Sequence, residues 1–383
     1  MRHVALVLPG LDRIGGAERQ VMLLAQGLRQ RGWRVSVVAL SGSGGAAAGE
    51  LAREQIAFVS FGMRKGLADP RGWIRCNRWL RRARPDVVHA HLPHAAWFAR
   101  WSRLGAAVPV QVDTLHTSAT GTIGRRLGYR WSGWLPDRVT AVSQAVADTH
   151  LAARMVSGCK LVVLPNGVDV EAWHPDEQVR AAMRAELGLR DEFLWLAAGR
   201  LEPVKDYPTL LAALAQLPES AHLAIAGVGP LQAELEQLWQ RLGVARRVRF
   251  AGFVADVRRW MQAADGFVLT SLWEGLPMAL IEAAACGLPA VATDVAGVRE
   301  VVEQGQTGLL APARDSAALA AAMAELMQML PPGRLAMGSR ARRRVVERFS
   351  LSAVLDRWEA LYEDCLAKRH EGTGVPDGLF RSS

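Results

Sequence analysis

Two acidic residues, Glu274 and Glu282, flank the run Gly275-Leu276-Pro277-Met278. A carboxylate accepts several hydrogen bonds and suits sugar hydroxyls, whereas the amides at a helix start suit phosphate or hydroxyl oxygens. Glu274 is expected to end a strand and Glu282 to lie about one and a half turns into the next helix, so both can face one pocket. Pro277 fits the first helical turn. A purely structural helix start would account for the proline and glycine, but not for an acid on the otherwise apolar helix Met278 to Ala285.

Gly199-Arg200-Leu201-x3-Lys205 places two cations five residues apart after another strand. They could clamp a diphosphate and neutralise the charge that builds as it leaves; a solvated surface pair is the plain alternative. Gly227-Val228-Gly229-Pro230 opens a further helix, and Gly252-Phe253-Val254 offers Phe253 and Val254 as a wall for a nucleobase. Near the N-terminus, Gly10-x4-Gly15-Gly16 has the outline of a P-loop, but Ala17-Glu18 stands where Lys-Ser/Thr is required, and no G-x-G-x-x-G occurs. Gly15 and Gly16 remain as a helix opening suited to a phosphate or sugar oxygen, or as glycines serving only a tight turn.

His116 follows a strand of the first domain and is a candidate catalytic group, the alternative being a satisfied structural histidine. His89-x-His91-x2-His94 invites a metal reading, yet the strand-to-helix crossover is expected to spread the rings and no carboxylate or cysteine completes the set. No metal site is expected.

Short apolar runs alternating with helical patterns predict parallel sheets covered by helices. In the first half, strands are expected at His3–Leu8, Arg34–Leu40, Asp86–Ala90, Pro109–Asp113, Arg138–Val142 and Leu161–Leu164, with a helix whose Ala17, Val21, Leu24 and Leu28 share a face. The pattern restarts after residues 166–178, with strands near Phe193–Ala198, His222–Ala226, Val248–Phe250, Gly266–Leu269 and Ala290–Thr293. The division is 1–170 and 171–350, then a helix over 351–369 that returns to the first domain and a disordered tail, 370–383. Ser41–Gly49, rich in Gly, Ala and Ser, reads as a mobile loop.

The chain has 383 residues, enough for two cores. Residues 1–175 carry 23 Lys/Arg against 11 Asp/Glu, a difference of +12; residues 176–383 carry 23 against 26, or −3, and the two sum to +9. The basic half points to an anionic ligand or surface. The stretch 64–84 has eight basic residues interleaved with Trp73, Ile74, Trp79 and Leu80, a mix that fits a helix on anionic lipid or a solvated basic face; no nucleic-acid motif accompanies it. Four scattered cysteines, no secretory signal and no long apolar run predict a cytoplasmic protein that meets any membrane from its surface.

Taken together, these residues resemble glycosyltransferase family 4. The likeness spans most of the chain: Gly15-Gly16-Ala17-Glu18, His89-Ala90-His91, His116-Thr117, Val142-Ser143, Pro165-Asn166-Gly167-Val168-Asp169, Gly199-Arg200-Leu201, Gly252-Phe253-Val254, Glu274-Gly275-Leu276-Pro277, Ile281-Glu282-Ala283, Gly287-Leu288-Pro289, Gly297-Val298-x-Glu300 and Gly308-Leu309-Leu310. The resemblance implies the α/β GT-B architecture, two Rossmann-like domains facing across a cleft. It implies a retaining transfer from a nucleotide sugar, UDP-linked by default, to a saccharide or lipid-linked acceptor of the cell envelope. By the same resemblance Arg200 and Lys205 would hold the donor diphosphate and Glu282 the ribose hydroxyls. Glu274, with the amides of Gly275 to Met278, would hold the sugar; Gly16 would meet the phosphate from across the cleft, and His116 would lie near sugar and acceptor. No Asp-x-Asp occurs in the sequence, which agrees with a reaction without metal or other cofactor. The alternatives are a sugar-nucleotide epimerase and a non-catalytic saccharide- or lipid-docking protein. A phosphorylase would need a late pyridoxal-binding lysine, and Lys368 alone follows Lys205.

Overall fold

The structure, a computed structural model, describes residues 1–12, 14–63 and 69–372. It divides into two units, one of Met1–Gly167 with the chain from Leu351 onward, the other of Val168–Ser350. Each is built on its own wholly parallel sheet.

In the first unit the strands are β1 (His3–Leu8), β2 (Arg34–Ala39), β3 (Ala57–Ser60), β4 (Val87–His91), β5 (Val110–Leu115), β6 (Arg138–Ala141) and β7 (Leu161–Val163), ordered β3-β2-β1-β4-β5-β6-β7. In the second they are β8 (Phe193–Ala198), β9 (Ala221–Ala226), β10 (Val248–Gly252), β11 (Gly266–Leu269), β12 (Ala290–Thr293) and β13 (Gly308–Ala311), ordered β10-β9-β8-β11-β12-β13. Both orders run outward from the first strand in two directions, so each unit is doubly wound. The central strands are buried on both faces, as continuous apolar runs such as Phe193–Ala198 require.

Strands β3 and β13 lay outside the expected set. β3 is a four-residue edge strand with both ends exposed, so it lacks the buried run that marks a strand. β13 opens on Gly308, whose Cβ position is closed by the Ala290 carbonyl at 2.5 Å. The expected mobile loop at Ser41–Gly49 is corrected: Gly45–Arg53 is helical, with Ala47 and Leu51 buried. Alanines favour the helix, and the Asp12 carboxylate fixes its approach by accepting from the amides of Ser43 at 2.9 Å and Gly44 at 2.8 Å.

The last helix, Leu351–Gly372, belongs to the first unit, where Val354, Leu355, Trp358 and Tyr362 join the core formed by β1 and the helix Gly16–Gln30. Gly27 admits Leu355 at a point where any Cβ would overlap it. Arg31 binds Asp356 and Glu359, each at 2.6 Å, and Trp33 donates to Glu359 at 2.8 Å. Residues 370–372 of the segment expected to be disordered continue this helix, and the rest of it, 373–383, lies outside the described residues.

The basic stretch also differs from expectation. Arg64 and Lys65 lie outside the described residues. The helix Pro70–Ala83 is present, capped by Asp69, but its tryptophans face the protein. The Trp73 ring lies 4.2 Å from that of Phe98, and Trp79 meets His3 and Phe61 edge-on. Trp73 and Trp79 are therefore packing residues and not interfacial anchors, because their rings are spent on Phe98, His3 and Phe61.

Candidate functional site

The second unit changes winding direction between β8 and β11, and the loops leaving those strands part to form the crevice where open α/β sheets take their ligands. The two loops are stitched together. Thr270 donates to the Lys205 carbonyl at 2.7 Å, and Leu272 donates its amide to Val204 at 2.8 Å. Lys205 Nζ then reaches Glu274 Oε1 at 2.6 Å, where the Ser271 hydroxyl also donates at 2.6 Å. The Lys205 and Glu274 side chains are 23% and 13% exposed, sheltered yet still reachable by a ligand.

Backbone packing fixes the neighbouring loop. Gly227 lies so close to Gly199 that a methyl group added to it would overlap the Gly199 carbonyl oxygen. Gly199 donates to the Ala226 carbonyl at 2.9 Å, Leu201 donates to that of Val228 at 3.1 Å, and the Tyr207 hydroxyl donates to the Gly199 carbonyl at 3.1 Å. Burial raises the Tyr207 hydroxyl, so it stays a donor.

Arg200 is 77% exposed and paired with Glu202 at 2.8 Å, a pairing weak enough in water to yield to an anionic ligand. It is not brought onto Glu274 as Lys205 is. Gly275, Leu276 and Pro277 are buried under the crevice floor, with the Gly275 carbonyl against Gly297. Pro277 precedes the helix Met278–Ala285 as its cap instead of lying in its first turn, because its extended backbone leaves the carbonyl to accept from Leu280 and Ile281. Met278 and Glu282 are partly buried on that helix. Phe253 directly follows β10 and is 81% exposed, beside the partly buried Val254.

In the first unit, Gly15 and Gly16 are exposed at the start of the helix Gly16–Gln30, and the Gly15 amide already donates to the Glu18 carboxylate at 3.0 Å. His116 ends β5. Its Nε2 lies 3.1 Å from His91 Nδ1, and the His91 ring is 4.0 Å from that of His89. This corrects the expectation that the crossover spreads the histidines: residues two apart on a strand share a face, so His89 and His91 stack, and the exposed His94 alone departs on the next helix. His89 is held by the Tyr362 hydroxyl and Thr114, each at 2.6 Å. Burial depresses all three imidazoles, His116 to about 4, so they are neutral at ordinary pH. His91 Nε2 and His116 Nδ1 are buried without a partner beside a cavity of about 20 Å³, room for one water. Sequence reasoning passed over His91 as a site residue. Its i, i+2 spacing to His89 was the available signal; its nearness to His116 comes from β4 pairing with β5. Among the described residues no three His, Cys, Asp or Glu side chains converge to hold a metal ion.

The family model described as Glycosyltransferase Family 4 matches residues 14–172, and that described as Glycosyl transferases group 1 matches residues 192–329. The chain is similar to the phosphatidyl-myo-inositol mannosyltransferase of Mycobacterium leprae, 31% identical over 385 residues that cover 94% of this chain and 96% of the relative. It is also similar to the UDP-Gal:alpha-D-GlcNAc-diphosphoundecaprenol alpha-1,3-galactosyltransferase of Escherichia coli, 27% identical over 319 residues, 79% of this chain and 81% of the relative. Among solved structures, Anabaena HepE in complex with UDP and glucose matches with a TM-score of 0.84 at 24% identity, covering 94% of this chain and 99% of that one.

Proposed function

Because the chain belongs to glycosyltransferase family 4 and is a glycosyltransferase of GT-B fold, we propose that it transfers a sugar, with retention and without a metal ion, from a UDP-sugar to a lipid-linked or saccharide acceptor in cell-envelope polysaccharide synthesis. The observation that carries the reading is the Lys205–Glu274 pair at the winding switch of the second unit. A cation that neutralises a departing diphosphate and a carboxylate that binds sugar hydroxyls are there 2.6 Å apart, as a nucleotide sugar needs them. The likeness to the Escherichia coli transferase, which takes UDP-Gal and a diphosphoundecaprenol-linked acceptor, supports the UDP donor and the lipid-linked acceptor.

In this reading Lys205 and Arg200 take the diphosphate, the helix start at Gly275 to Met278 and Glu274 hold the sugar, and Glu282 takes the ribose. Phe253, Val254 and Gly227 border the nucleotide; Gly15 and Gly16 are read as a phosphate-binding helix start, and the neutral His116 as a hydrogen-bonding group for sugar or acceptor. The bond from the anomeric carbon to the β-phosphate oxygen breaks as the acceptor oxygen bonds on the same face. The acceptor's proton passes to the departing phosphate oxygen. Cations and amides do the work that a divalent ion does elsewhere. The likeness to a diphosphoundecaprenol-dependent transferase supports work at the inner face of the cytoplasmic membrane; no helix among the described residues is long and apolar enough to cross a membrane.

The test is incubation with labelled UDP-sugars and undecaprenyl-diphosphate saccharides in EDTA, with the anomeric configuration of the product read by NMR. A retained linkage made in EDTA is expected. An absence of both transfer and donor hydrolysis would move the weight to a docking protein, and an inverted linkage would overturn the same-face mechanism.

A further inference from the structure

The helix Ile123–Trp131 of the first unit wears its apolar stripe on the outside. At about 100° per residue, Ile123, Leu127 and Trp131 fall within about 80° of one another. These three are 75%, 51% and 79% exposed, and Trp134 just beyond the helix is 65% exposed. The opposite side faces the protein: Tyr129 is buried, and Gly128 backs onto the Trp97 ring. A surface helix ordinarily turns such a stripe inward. The exposed Arg126 and Arg130 line one edge of this stripe, make no ion pair among the described residues, and share a helix that carries no acid.

The stripe is held firmly. Arg100, fully buried on Asp113 at 2.7 Å, donates to the Tyr129 carbonyl at 3.1 Å and to Ser132 at 2.9 Å. Lys160 Nζ donates to the carbonyls of Gly133, Trp134 and Pro136 at 3.1, 3.0 and 2.7 Å. Both ends of the Trp131–Trp134 corner are therefore fixed by cations bound to backbone oxygen, and the exposed indoles project from a rigid base.

We propose that Ile123, Leu127, Trp131 and Trp134, edged by Arg126 and Arg130, form the surface by which this chain docks on an anionic bilayer. Indole rings favour the headgroup level, aliphatic side chains reach the acyl boundary, and arginines pair with lipid phosphates. Charge selects a bilayer over a second copy of the chain, since two such faces would set arginines against arginines. The inference deepens the lipid-linked acceptor reading and rests on it, and it moves the docking surface from the helix Pro70–Ala83, whose tryptophans are spent on packing, to the helix Ile123–Trp131.

The test is co-sedimentation of the full chain with phosphatidylcholine vesicles with and without phosphatidylglycerol. Three variants are compared: Leu127→Glu with Trp131→Glu, Arg126→Gln with Arg130→Gln, and Arg75→Gln with Arg78→Gln and Arg82→Gln. Thermal midpoints should not move, because every substituted side chain is exposed. Binding is expected only to anionic vesicles. It should be abolished by the glutamates, weakened about thirty-fold by the loss of Arg126 and Arg130, and weakened much less by the third variant. Binding that survives the first two variants and is lost in the third would overturn the inference while leaving the acceptor reading intact. No vesicle binding by the parent chain would overturn it too, and transfer to a soluble acceptor would then show whether the acceptor reading also falls. A dimer in sedimentation velocity that the glutamates dissociate would assign the stripe to a second copy and overturn the inference.

Discussion

Replacing His116 by asparagine should change how stability depends on pH. In the fold the His116 imidazole is pushed by burial from 6.5 to about 4, while its Nε2 keeps the His91 contact at 3.1 Å. A group depressed in this way is neutral in the native state, so its contribution is intact above pH 6.5 and is lost as the pH falls toward 4. At about pH 5 the unfolded chain binds that proton almost fully and the native state only to roughly a tenth, which gives a slope of about 1.2 kcal/mol per pH unit. Integrated from about pH 7 to about pH 5, His116 should cost the parent about 2 kcal/mol that the asparagine variant does not lose. The assay is urea unfolding across that range, followed by hydrogen exchange at the amides of β4 and β5 so that the first unit alone is read. The stability difference between parent and variant should shrink by that amount on acidification. Parallel profiles would refute a buried neutral imidazole at this position.

Gly227→Ala should destabilise the second unit by more than about 3 kcal/mol and abolish nucleotide binding, because the new methyl group has to displace the Gly199 carbonyl; urea midpoints and calorimetry read the two effects. Asp113→Ala leaves the fully buried Arg100 uncompensated and should cost about 3 to 5 kcal/mol in urea unfolding, part of which Arg100→Met should restore. Tyr362→Phe strips His89 Nδ1 of its partner and should cost about 1 to 3 kcal/mol, measured in the same way.

The sheets were legible wherever strands are buried on both faces. β8, β11 and β12 have the expected bounds because an apolar run between turn residues has no other use at that length. Edge strand β3 has exposed ends, the short apolar run of β13 opens on Gly308, a residue that reads as a turn, and the alanines of 45–49 read as a loop because composition hid a short helix. In the site, Lys205 and Glu274 could be placed on loops after strands, but their contact depends on β8 lying next to β11, a pairing set by topology and not by neighbouring residues. The same holds for His91 and His116, which meet because β4 pairs with β5, opposing His91 to Thr114. The outward stripe Ile123, Leu127 and Trp131 is periodic in the sequence, yet periodicity alone cannot tell an inward face from an outward one. Trp73 and Trp79 illustrate the converse, a motif that reads as a lipid anchor and is spent on packing.

The claim that the β8–β11 crevice is a donor site is tested most directly by calorimetric titration of UDP, GDP and ADP in EDTA, against the parent chain and Lys205→Ala. UDP should bind the parent without a divalent ion, and the substitution should weaken it about ten- to a hundred-fold, the loss of a charged hydrogen bond to the diphosphate beside a Glu274 left without its cation. Failure of all three nucleotides to bind, or UDP binding that ignores Lys205, would contradict it.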